Sequence, residues 1–216
     1  MKQIVKGLIV VGAMVAAGGA SAAMEDISPM VGVDAEWIHM KGKGNLNRIL
    51  PKSYWGGNVW IGARFCENVG LEAGYNWTNN RKKSHIVKAG ETATFSAPVG
   101  TKVTGKAKFS GWHVDLLGYL PMDECFDLIG TVGYGWDKPK LHIHQNTTPA
   151  VNFNRKGKNK GVFRAGVGGQ YMVSDNVGLR VMGRYQNTSQ LRLKTTNRTK
   201  VFKDAFSLSV GAFVKF

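Results

Sequence analysis

The chain has 216 residues, 43% of them hydrophobic, with 28 Gly, 6 Pro, 2 Cys and a formal net charge of +15. After the first two dozen residues no apolar run approaches the roughly 20 residues that a bilayer-spanning helix needs, which excludes a helical membrane protein. What remains is a soluble exported protein or a membrane barrel, and periodicity separates the two.

In chain order, Lys2 and Lys6 precede an apolar run over residues 7–17 that closes on the small residues Gly18 to Ala23. A positive start, a short apolar stretch and an A-x-A site at Ala20-Ser21-Ala22 (or one residue on) are the parts of a cleaved signal peptide, too short for an anchor. Residues 1–23 are therefore expected to be removed and residues 24–216 to be the mature domain.

The mature sequence then alternates with period two in eight successive segments, the pattern of strands with different surroundings on their two faces. Val31, Val33, Ala35 and Trp37 oppose Gly32, Asp34, Glu36 and Ile38. Val59, Ile61, Ala63 and Phe65 oppose Asn58, Trp60, Gly62 and Arg64, and Leu71, Ala73, Tyr75 and Trp77 oppose Glu72, Gly74 and Asn76. Further strands are read at 112–117, 128–137, 163–171, 177–186 and 206–216. The links near residues 66–68, 122–126 and 174–176 are short, whereas those around 41–53, 80–106, 138–160 and 188–203 are long and polar. An even strand number with short turns at one end and long loops at the other predicts an all-β, eight-stranded antiparallel transmembrane β-barrel of the bacterial outer membrane, with four long extracellular loops and short periplasmic turns.

The predicted outward face is aliphatic and aromatic. The inward face carries Asp34, Glu36, Glu72, Asp115 and Asp137 with Arg64, Arg164, Arg180, Arg184 and Lys215, five acids against five bases. An eight-stranded barrel is only wide enough to be filled by side chains, and buried charges persist when paired. The balanced set thus predicts a salt-bridged, plugged lumen rather than an open pore. Small inward residues such as those of Gly166-Val167-Gly168-Gly169 make room in it.

Cys66 and Cys125 both fall in short periplasmic turns, and the strands that follow and precede those turns are neighbours in an oxidising compartment, so a disulfide between them is an open expectation. His142 and His144 form an H-x-H pair without a third ligand. No metal, cofactor or catalytic constellation is expected, and the protein is not read as an enzyme.

The charge excess lies in the long loops, which hold 22 Lys or Arg against Glu91 and Asp204. A surface of one sign recruits partners of the other. The clusters Arg81, Lys82, Lys83 and Arg155, Lys156, Lys158, Lys160 are the candidate anion-binding residues. The expected partners are outer-membrane lipids with lipopolysaccharide, and polyanionic receptors on host cells. Nucleic acid is not expected, because exported loops lack a stacking pattern. A structural or narrow-pore role is the alternative.

The phrases "FCENVGLEAGYNW" and "MVSDNVGLRVMGRYQ" and the ending "SVGAFVKF" make the chain resemble the small eight-stranded outer-membrane barrels of the OmpA and Opa type, over essentially all of the mature sequence. The resemblance implies an integral outer-membrane protein of a group that includes envelope-stabilising proteins, adhesins and invasins. It also implies that Ser209, Gly211, Val214 and Phe216 form the terminal signal read by the barrel-assembly machinery. Unlike the larger OmpA-type members, the chain is not expected to carry a periplasmic domain after the barrel.

Overall fold

The computed structural model describes residues 27–42, 50–89, 98–146, 151–156, 160–187 and 202–216. The signal peptide expected at 1–23 and the candidate Lys158 lie outside the described residues. Ten strands follow one another: β1 (Ser28–Gly42), β2 (Ser53–Cys66), β3 (Val69–Thr78), β4 (Arg81–Ile86), β5 (Lys102–Asp123), β6 (Phe126–Gln145), β7 (Val151–Lys156), β8 (Lys160–Met172), β9 (Val177–Asn187) and β10 (Phe202–Lys215).

Eight of them close a ring. The antiparallel order β5-β3-β2-β1-β10-β9-β8-β6 is completed by the pairing of β6 with β5, so no edge is left in the barrel wall. Stepping through register partners from Asp137 of β6 by way of Gly111, Asn76, Asn58, Asp34, Gly211, Arg180 and Gln170 returns to β6 at Asp127, an offset of ten residues. Eight strands with that stagger tilt by about 41° and enclose a backbone cylinder of roughly 8 Å radius. Such a cylinder fills with side chains.

β4 and β7 are not part of the ring. They flank the upper halves of β5 and β6, which run 22 and 20 residues and pair with each other up to Val103 and Gln145, to build a four-stranded extension β4-β5-β6-β7. This corrects the expectation of long loops over 80–106 and 138–160. The alternation is present in Lys102-Val103-Thr104-Gly105-Lys106-Ala107-Lys108-Phe109, but its outward set is cationic instead of apolar and so does not look like a membrane strand.

Burial alternates residue by residue along the barrel strands. The outward set forms an exposed apolar band, with aromatic pairs Tyr75–Trp112 and Tyr134–Trp136 in ring contact at 4.9 and 5.3 Å near the loop end. The inward set is layered. Ile38, Met40, Leu50, Tyr54, Val87, Val103, Ala107, Phe109, Leu141, Val162 and Ala205 make an apolar plug toward the loop end. A second plug of Met30, Trp60, Leu117, Tyr119, Ile129, Met182 and Phe213 fills the turn end.

Glycines admit the largest of these side chains. A Cβ on Gly32 would lie 2.4 Å from the Trp60 indole, and one on Gly178 would lie 2.3 Å from the Phe213 ring. Overpacking a filled interior costs about 1–3 kcal/mol. Gly178→Val is therefore expected to lower the unfolding free energy of the micelle-bound protein by that amount, read as a lower denaturant midpoint, while leaving its heat-modifiable gel shift in place; an unchanged midpoint would mean that Phe213 does not fill the turn end.

Candidate functional site

Between the two plugs lies a polar layer. Asp34, Glu36, Glu72, Asp115, Asp137, Arg164, Arg180 and Arg184 are all at most 6% exposed. β1 supplies Asp34 and Glu36, β3 Glu72, β5 Asp115, β6 Asp137, β8 Arg164 and β9 Arg180 and Arg184, each at an inward position of the alternation. The Arg180 guanidinium is shared: Nη2 is 2.7 Å from Asp34 Oδ2, and Nη1 bonds Glu72 Oε2. Arg184 approaches Glu72 Oε1 and Asp115 Oδ2 at 3.6 and 3.9 Å, and Arg164 reaches Asp115 Oδ2 at 3.3 Å. Asp34 also accepts from Asn58 Nδ2 at 3.0 Å and from the Trp60 indole N–H at 3.3 Å.

Two residues that the charge pattern passed over contact this layer, Trp60 from the edge of the turn-end plug and His113 from within the layer. Trp60 carries the Arg180 guanidinium 3.8 Å above its ring, adding a cation–π contact to its hydrogen bond. His113 is 1% exposed with Nε2 3.5 Å from Glu72 Oε1. Both sit at inward positions, so periodicity places them; their partners on distant strands follow only from the closed ring.

Two of the ten expected lumen charges are elsewhere. Arg64 lies at the turn-end rim, where Nη1 contacts Asp127 Oδ2 at 2.8 Å and its other donors reach the carbonyls of Cys66 and Glu67. Lys215 opposes Met30 at the end of β10 and is half-buried there. The buried layer therefore holds five carboxylates against three guanidiniums, not a balanced five against five. The reason is length: β2 and β10 both run past the polar layer to the periplasmic rim, and alternation alone does not reveal height.

Glu72, His113 and Asp115 each offer a ligand atom within 4.8 Å of one another, the one such grouping among the described residues. Arg184 and Arg164 already place positive charge against those carboxylates, so the donor set fits an ion-pair network better than a metal centre. The expected disulfide is not formed, since Cys66 and Cys125 are both free and exposed. Cys66 ends β2 whereas Cys125 lies in the β5–β6 turn, with β3 between. Two strand spacings, about 10 Å, exceed the roughly 7 Å Cα separation that a disulfide tolerates.

The loop clusters are separated by the extension. Arg81 is in register with Ala107, Leu141 and then Arg155, so residues 81–83 on β4 and 155–156 on β7 occupy opposite margins with β5 and β6 between. Lys160 begins β8 as the register partner of Asp137. The centre of the sheet presents cations that were not singled out: Lys106 opposite Lys82, and Lys108 opposite Lys140. Across residues 81–89, 98–110, 138–146 and 151–156 there are eleven Lys or Arg and no Asp or Glu.

The terminal residues are tied into the barrel. Phe216 N–H donates to the Pro29 carbonyl at 2.9 Å. Ser209 Oγ accepts from Arg184 Nη1 at 3.1 Å, and a Cβ on Gly211 would lie 2.1 Å from Asp34 Oδ1. Val214 and Phe216 face outward.

A closed antiparallel ring with an apolar exterior, an aromatic girdle and a sealed interior defines an integral β-barrel of the bacterial outer membrane. The chain belongs to the outer membrane protein beta-barrel domain family, whose pattern it matches over residues 8–212. It is similar in structure to Ail, the attachment invasion locus protein of Yersinia pestis, seen in complex with the heparin analogue sucrose octasulfate, at 16% identity and a TM-score of 0.53 over 88% of this chain and 99% of that one. OprG from Pseudomonas aeruginosa matches at 12% identity and 0.54 over 88% and 96%, and Neisserial surface protein A at 12% and 0.52 over 88% and 97%. At these identities the likeness concerns the fold. Comparison with curated protein sequences gives no match.

Removing one partner of a buried ion pair strands the other and costs about 3–5 kcal/mol. Arg180→Met leaves both Glu72 and Asp34 without their shared cation and is expected to lower unfolding free energy in micelles by that much. Adding Glu72→Gln to the same chain should recover part of the loss; no recovery would show that the deficit comes from the missing contact with Trp60 rather than from stranded charge.

Proposed function

We propose that the protein is a surface binding module of the outer membrane whose basic extracellular extension takes anionic glycans. These are the phosphorylated saccharides of lipopolysaccharide in its own membrane and the sulfated or sialylated glycans of a host cell, the second giving it the role of an adhesin or invasin. The observation that carries this reading is the uniform sign of the described part of the extension, eleven cations without an acid. A field of one sign concentrates polyanions and accelerates their capture. Ail, which shares the fold, was seen with a heparin analogue, the class of ligand that such a surface would accept. The role is one of binding, with no reaction assigned.

The filled lumen supports envelope structure, rather than conduction, as the second reading. Two apolar plugs bracket the ion-pair layer, so planar bilayers containing the protein are expected to show no steady conductance. We assign to Ser209, Gly211, Val214 and Phe216 recognition by the barrel-assembly machinery in addition to their contacts in the wall.

Glutamine replacements of Arg81, Lys82, Lys83, Arg155, Lys156, Lys158 and Lys160 are expected to elute the folded protein from a heparin column at clearly lower salt, because polyanion affinity depends on the number of cations engaged. Elution at the native salt concentration would sink the glycan-binding reading for these clusters.

A further inference from the structure

The outward face of the extension continues the barrel surface that carries the aromatic girdle. Trp112 of β5 is the register partner of Trp136 of β6; two residues higher Ser110 opposes Lys138, then Lys108 opposes Lys140, and then Lys106 lies between His142 and Lys82. The Ser84–Thr104 hydroxyl contact of 2.9 Å one step above shows that these register partners share a face. Successive rows are about 6.7 Å apart along the strands, so at a tilt of about 41° the lysines rise roughly 5, 10 and 15 Å above the tryptophan pair.

This arrangement is costly by itself. Like charges directly opposite one another across a strand pair are destabilising, and here Lys82 faces Lys106 and Lys108 faces Lys140 with no carboxylate in the described extension. Its height and direction name the counter-charge. Interfacial tryptophans sit at the edge of the hydrocarbon, so the lowest lysines stand at headgroup level and point sideways along the membrane rather than up toward another cell.

We propose that this lysine ladder seats a phosphorylated glycolipid of the outer leaflet: Lys138, Lys108 and Lys140 hold the phosphates of its disaccharide head, and Lys106 and Lys82 meet phosphates farther out in the saccharide. The assignment rests on the anion-binding reading of the extension and narrows it, committing the outward face to the protein's own membrane. Basic residues near a charged lipid surface act as separate, roughly additive attractions.

The test titrates the detergent-solubilised mature protein with bisphosphorylated lipid A, with dephosphorylated lipid A, and with a heparin oligosaccharide. The native protein is expected to bind the dephosphorylated lipid at least about tenfold more weakly than the bisphosphorylated one. Lys108→Gln/Lys138→Gln/Lys140→Gln is expected to lose about tenfold or more for bisphosphorylated lipid A while its heparin affinity stays within about twofold. Equal losses for both anions would overturn the assignment and give the ladder to soluble glycans. Lipid A binding indifferent to phosphate removal would also overturn it, and that comparison uses only native protein, so it stands even where the triple variant fails to show a heat-modifiable band. No binding of either anion by the native protein would instead remove the broader anion-binding reading.

Discussion

The structure follows from one constraint: in hydrocarbon every backbone N–H and C=O must find its partner within the protein. Here that demand is met by joining β5 to β6 and β1 to β10, and closure with a ten-residue stagger fixes the radius. Everything inside follows from that radius. It is too small for a water-filled channel yet large enough to need filling, so inward positions hold apolar packing residues, charged or neutral polar side chains such as Asn58 and Gln170, or glycines that yield space to a neighbour such as Trp60 or Phe213.

The polar layer shows how so narrow a space accommodates charge. Arg180 serves two carboxylates and an indole at once, and Arg184 spans Glu72, Asp115 and Ser209. Sharing of this kind lets three guanidiniums serve Asp34, Glu72 and Asp115 together, and the apolar plugs above and below shield the layer from bulk water. Buried ion pairs of this type contribute little net stability compared with apolar packing. Their value lies in fixing which strands face one another, since a one-residue slip would turn the whole set into lipid.

Much of this was legible in the sequence because period two is dictated by backbone geometry: the eight ring strands, the inward placement of Asp34, Glu72, Asp115 and Arg180, and the outward tryptophans all follow from alternation. Three things did not. Height along the barrel depends on register and tilt, so Arg64 and Lys215 read as lumen residues although they sit at the rim. Turn-to-turn distance depends on how many strands intervene, which separates Cys66 from Cys125. Strands that leave the membrane exchange their apolar outer face for a cationic one, which is why Lys102 to Lys106 read as loop although Val103, Ala107 and Phe109 alternate as faithfully as any segment below.

The path of Arg180 to Asp34 also bears on assembly. The two residues lie on β9 and β1, with β10 between them and Gly211 vacating the space beneath the carboxylate. This contact joins residues 146 apart in sequence and exists only once the two ends of the chain have met. In a ring left open between β1 and β10 these charges would face the gap, so joining the two strands is also what encloses them. A chain stalled one strand short keeps a wet, charged cleft that hydrocarbon will not accept. Closing the ring and burying the charge layer thus belong to one structural step.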